Sequence, residues 1–175
     1  MKHVAVGNAV LAVMLVVVGI YVNSGTKPRM NTQSLYALTD SESHETLRVA
    51  LLSDLHVKNS PDAIAELTEL WSGVIEQTPD IILLGGDYIN DGASNQDLAS
   101  IGPAIANILR ASDDIPVVAV LGNHDHWSGA ESWTEYLSEA GVIVLENEMV
   151  VLDAVGTCIR GFGDAFTDHF EYVDF

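Results

Sequence analysis

Ile115–Trp127 reads IPVVAVLGNHDHW. Its apolar, β-branched first half suits a strand buried on both faces. Gly122 then permits a sharp turn, and Asn123, His124, Asp125 and His126 follow at once. The same grammar occurs twice upstream. LRVALLSDLH (Leu47–His56) and PDIILLGGDY (Pro79–Tyr88) are apolar runs that end in polar clusters. Between these runs, Pro61–Gln77 carries Ile64, Leu67, Trp71 and Val74 at helical spacing behind Ser60 as a cap, and Gln96–Arg110 reads as a second helix. Gly129–Ala140 predicts a third, followed by VIVLENE, MVVLDAVG and TCIRGFGD as further strands. Strands alternating with helices imply an α/β fold with a parallel sheet.

In such a sheet the carboxyl ends of the strands share one edge, where ligands bind. Asp54 and His56, then Asp87, then Asn123, His124 and Asp125 should therefore meet in one crevice. Asp-x-His at a strand end would turn both side chains to the same side, and the glycines before Asp87 and Asn123 would let the backbone come close. Taken singly, Asp54 and Asp87 would be turn or cap residues, His56 a surface histidine and Gly122-Asn123 an ordinary turn. Three such clusters at three strand ends point to a metal site, because carboxylates crowded together without a cation repel one another. Oxygen donors with imidazole suit divalent Mn, Fe, Zn or Co, and the single Cys158 excludes a thiolate-rich zinc cage and an internal disulfide.

DLH, GGDY and GNHD, in this order, resemble the opening motifs of the calcineurin-like metallophosphoesterase family, and the resemblance spans Leu47 to Phe175. It implies a two-sheet β sandwich flanked by helices (α/β/β/α). It also implies two divalent metal ions, with Asp54, His56 and Asp87 on the first and Asp87 and Asn123 on the second. His124 would be no ligand but a general acid or a donor to the phosphoryl oxygens, with Asp125 orienting and polarising its ring; His126 would be a rim residue able to touch substrate. The implied reaction is hydrolysis of a phosphodiester or phosphomonoester by in-line attack of a metal-bound hydroxide.

The family's later histidines, in G-H or T-H and G-H-x-H settings, have no counterpart here. His169, the one histidine beyond His126, has the wrong neighbours and falls in an expected surface loop, TDHFEY. The resemblance thus implies that only the N-terminal portion of the fold is present, retaining mainly one ion site with poor hydrolysis. The alternative is a truncated, non-catalytic metal-binding or regulatory relative.

Composition sets the remaining bounds. The chain of 175 residues has 7 Lys and Arg against 25 Asp and Glu, a formal charge of −18, and its first acid is Asp40. Such a field disfavours nucleic acid as a partner. Val4–Val22, VAVGNAVLAVMLVVVGIYV, is long and apolar enough to approach a membrane span of about 20 residues. Residues 1–23 therefore read as a single-pass N-terminal anchor, with a secretory signal cleaved near Val22-Asn23-Ser24 as the competing reading. Lys2 on one flank and Lys27 and Arg29 on the other leave its orientation undecided. Residues 24–46 form a polar tether and residues 47–175 the metallophosphoesterase domain. An anchored enzyme suggests a phosphate-ester substrate derived from lipid or envelope.

Overall fold

The computed structural model describes residues 47–89, 95–110 and 115–173. The expected anchor and tether lie outside these residues. Among the described residues no helix is long and apolar enough to cross a membrane.

Three strand–helix units follow in order: β1 (Val49–Leu52) and α1 (Pro61–Glu76), β2 (Ile81–Leu84) and α2 (Asn95–Ile108), β3 (Val117–Ala119) and α3 (Asn123–Glu139). A short β4 (Ile143–Val144) ends the sheet, and β5 (Glu148–Leu152) pairs antiparallel with β6 (Thr157–Gly161) in a separate ribbon. The four-stranded sheet runs β1-β2-β3-β4, every pairing parallel. Local signals fix α1, because Ser60 accepts a hydrogen bond from the Ala63 N–H (3.2 Å) and Pro61 fills the first turn, where no amide donor is needed.

Period-two alternation sorts the strand residues between two cores. Leu52, Ile82, Leu84, Val117 and Ala119 face the helices and pack with Leu67, Trp71, Ile105, Trp133 and Leu137. Ile81 and Val118 face the other way and pack with Leu145 and Leu152, flanked by Val150 and Ile159 of the ribbon. The layers are thus helices, parallel sheet and β ribbon. Trp71 is a core residue, as its helical spacing predicted, and Tyr88 is fully buried, its hydroxyl donating to the Val120 carbonyl at 2.7 Å.

Register sets the position of the site. Leu52 pairs with Leu84 and Leu84 with Ala119, so these strands stop in one row and their polar clusters emerge along one edge. Beyond that row the segments after β1 and β2 remain stitched together: Asp54 N–H donates to the Gly86 carbonyl, His56 N–H to that of Asp87 and Val57 N–H to that of Tyr88, at 2.9–3.0 Å.

The third helix departs from expectation. It begins at Asn123 rather than Gly129, so NHDHW is helical, with Gly122 as its extended cap. Gly129, at φ 136° and ψ 81°, interrupts it and leaves a short first segment that the apolar period conceals. The break is bridged: the Trp133 indole N–H donates to Ser128 Oγ (3.1 Å), and the Ser128 hydroxyl donates to the Asp125 carbonyl (3.3 Å).

Gly86 lies at φ 90°, and a Cβ there would collide with the Gly122 backbone nitrogen. Gly86→Ala combines that clash with a left-handed backbone, each sufficient to destabilise a fold by about 1–3 kcal/mol. Urea denaturation should show a midpoint lowered accordingly; an unchanged midpoint would mean that the two turns separate freely.

Candidate metal centre

Asp54, His56 and Asp87 all adopt the left-handed backbone region, with φ of 56°, 43° and 57°. Asp and His enter this region more readily than most residues, although at a cost. Their convergence therefore has a different origin from the one expected. Asp54 and His56 lie past the end of β1, and turns rather than strand alternation bring them together. His56 Nε2 is 3.9 Å from both Asp54 Oδ1 and Asp87 Oδ2, and the Ser53 hydroxyl donates to Asp54 Oδ2.

His124 enters from the first turn of α3. Its backbone N–H donates to Asp87 Oδ1 (3.1 Å), while its ring meets that of His56 edge-on at 4.7 Å between centroids. Donor atoms of His56, Asp87 and His124 lie within 4.8 Å of one another. An imidazole and a carboxylate that divides its oxygens between neighbours suit a borderline divalent ion, and the His124 ring stands beside them. Asp54 adjoins this group through His56, and Asn123 stands at the first position of α3, immediately before His124. Trp127, one helical turn past His124, is exposed and packs edge-on against its ring at 5.1 Å.

Asp125 does not do what the sequence suggested. Its carboxylate is completely buried and faces backbone amides rather than the His124 ring: Oδ2 accepts from Asp87 N–H (2.7 Å) and Gly122 N–H (2.9 Å), and Oδ1 from Tyr88 N–H (3.0 Å). The helical geometry explains the correction, since successive residues on a helix turn by about 100° and the side chains of His124 and Asp125 diverge. The Gly122 bond caps the helix from its third residue. Burial pushes the Asp125 carboxyl up to about 7, against the opposing pull of the three amides. Burial, with the charges of Asp125 and Asp87, likewise raises the Tyr88 hydroxyl above its usual range.

His126 is also relocated. About 200° around the helix from His124, it faces away from the centre and stacks on His169 with ring centroids 3.8 Å apart. Burial, then His169, holds it below its ordinary pKa, with Glu146 and Asp164 opposing. His126, Glu146 and His169 form a second group with donor atoms within 4.8 Å of one another. It comes from α3, the turn after β4 and the loop after β6, so no local spacing announced it.

Residues 47–173 match the calcineurin-like phosphoesterase family. The chain belongs to that family. It is 30% identical over 161 residues to YkoQ of Bacillus subtilis (strain 168), an uncharacterized metallophosphoesterase, covering 87% of this chain and 56% of that protein. It is 32% identical over 109 residues to phosphodiesterase YaeI of Escherichia coli (strain K12), covering 60% and 38%. A Danio rerio transmembrane protein with a metallophosphoesterase domain is 26% identical over 144 residues, covering 79% and 30%. The matched region thus spans between 30% and 56% of these relatives. Calcineurin-like phosphoesterases generally bind divalent metals, and the cluster at the sheet edge here has the chemistry to do so.

Because one carboxylate, Asp125, holds Asp87, Tyr88 and Gly122 by their amides, Asp125→Ala should cost more than one ordinary hydrogen bond. Leaving buried donors unmade costs about 1–3 kcal/mol each at most sites. Chemical denaturation should show a loss of at least about 2 kcal/mol, and calorimetry weaker binding of Mn²⁺ or Zn²⁺. Wild-type stability in this variant would refute the role.

Proposed function

We propose that this chain hydrolyses phosphate esters, a phosphodiester or phosphomonoester, with divalent ions held by Asp54, His56, Asp87 and Asn123. The convergence of His56, Asp87 and His124 at the sheet edge carries this reading. Family membership supports the reaction class, as does the relative named as a phosphodiesterase. When bound, the ions would supply Lewis-acid activation of water and of the phosphoryl group.

The chain's own residues supply position and a proton. Asp87 would be the carboxylate that the ions share; its Oδ1 is fixed by the His124 amide and its Oδ2 is turned towards His56. Asn123 adds a neutral amide oxygen, which leaves more positive charge for the phosphate. His124, at the boundary between the donors and Trp127, serves the ester oxygens as acid or hydrogen-bond donor. Asp125 is a positioning residue that acts through the backbone of Asp87. The reading extends to residues 1–23 as a membrane anchor and 24–46 as its tether, so that the substrate is a lipid- or envelope-derived phosphate ester. The apolar run Val4–Val22 supports this, together with the relative named as a transmembrane protein.

The test is hydrolysis of bis-p-nitrophenyl phosphate and p-nitrophenyl phosphate with Mn²⁺, Zn²⁺ or Co²⁺. Turnover should vanish with EDTA and in Asp87→Asn. His124→Ala should lower kcat by about 100-fold or more, the usual contribution of a positioned proton donor. Metal-independent turnover, or full activity in both variants, would overturn the proposal.

A further inference from the structure

The second histidine cluster stands apart from the proposed reaction. We propose that His126, Glu146 and His169 form an independent divalent-cation site. It lies on the opposite side of the first turn of α3 from the candidate catalytic centre.

Three observations converge on it. First, His126 Nε2 is buried without a hydrogen-bond partner among the described residues, on a side chain only 6% exposed. A buried imidazole nitrogen left unmatched is costly unless something supplies a partner. Its nearest acid is Glu146, with Oε1 at 3.6 Å, beyond hydrogen-bonding distance but close to the separation of two donors on one ion. For tetrahedral Zn²⁺, bonds of about 2.0–2.1 Å put neighbouring donors about 3.4 Å apart.

Second, the tautomer of His169 is fixed in the form that a metal requires. The Thr167 hydroxyl donates to Asp164 Oδ2 (2.8 Å), so its oxygen can only accept from His169 Nδ1–H (2.9 Å). Nε2 of His169 therefore carries the free lone pair, and its opposite nitrogen is held by a hydroxyl backed by a carboxylate, the outer support usual for a ligating histidine.

Third, the segment carrying His169 is built onto the segment carrying Glu146. Asn147 Oδ1 accepts from Gly163 N–H (3.0 Å) and Glu171 N–H (2.9 Å), and its Nδ2 donates to the His169 carbonyl (2.7 Å). Gly163 is pressed against that carbonyl so closely that a Cβ would collide with it. Glu146 and His169 are thus presented together to a buried histidine. Both are exposed, so the His169 ring can swing out of its stack on His126 and the Glu146 carboxylate can move in to bonding distance without disturbing the core.

Two imidazoles and a carboxylate suit Zn²⁺ and its neighbours, with a fourth position for water. An ion there would tie α3, the turn after β4 and the loop after β6 together. The last of these carries Phe166, whose ring packs edge-on against Trp127 at 5.8 Å, beside His124. The site does not rest on the phosphoesterase reading.

Zn²⁺ is titrated by calorimetry into the EDTA-treated full chain carrying His56→Ala and Asp87→Asn, which removes two donors of the candidate catalytic centre. One equivalent should still bind, and ¹⁵N spectra should show the Nε2 resonances of both His126 and His169 shifting with it. Adding His169→Ala, or separately Glu146→Gln, should weaken this equivalent at least about tenfold, since even loss of an outer support costs that much. Both of these side chains are exposed, so folding is spared. Absence of the remaining equivalent, or its persistence at full affinity in both added variants, would overturn the site.

Discussion

Asp125 couples the end of β2 to the start of α3 through a single carboxylate. Its two oxygens take the amides of Asp87, Tyr88 and Gly122, three donors on two segments that no strand ladder satisfies. Where a sheet edge opens into a crevice, backbone amides lose their neighbours, and leaving them unpaired in a buried setting is expensive. A buried acid that accepts all three solves that problem and fixes the distance between Asp87 and His124. Its burial is therefore unfavourable for its own charge but favourable for the site. A cation at Asp87 would offset the charge that Asp125 brings.

The order β1-β2-β3-β4 puts successive strand–helix units side by side, so residues about thirty to forty positions apart in sequence finish at adjacent places on one edge. That much was legible in the sequence. Apolar runs at Leu47, Pro79 and Ile115 marked the strands, Ser60 and the spacing of Leu67, Trp71 and Val74 marked α1, and the polar clusters marked the edge. Each signal is local and repeated, and the paired ends Leu52, Leu84 and Ala119 confirm the inference from them.

What escaped the sequence depends on dihedral angles and long-range contacts. GNHDHW has no apolar period because its segment is a single short helical piece ended by Gly129, so the first turn of α3 was hidden. With that turn unrecognised, the sequence places Asp125 beside the His124 ring and His126 on the rim, whereas the structure turns Asp125 to the backbone amides and stacks His126 on His169. The group of His126, Glu146 and His169 was invisible for another reason. The clamp at Asn147 joins the segments that carry Glu146 and His169, and both meet His126 of α3 through long-range contacts that no local spacing encodes.

The positive φ angles at Asp54, His56 and Asp87 have a consequence for which sequences can occupy this fold. Left-handed backbone admits Gly, Asn, Asp and His far more readily than β-branched or bulky side chains. Of these four, all but Gly carry a short side chain that can donate electrons to a cation. The turns therefore filter the amino-acid alphabet before any chemistry does. A library randomised at these three positions and selected for folding alone would already be enriched in metal ligands, so the scaffold itself biases random variation towards this site.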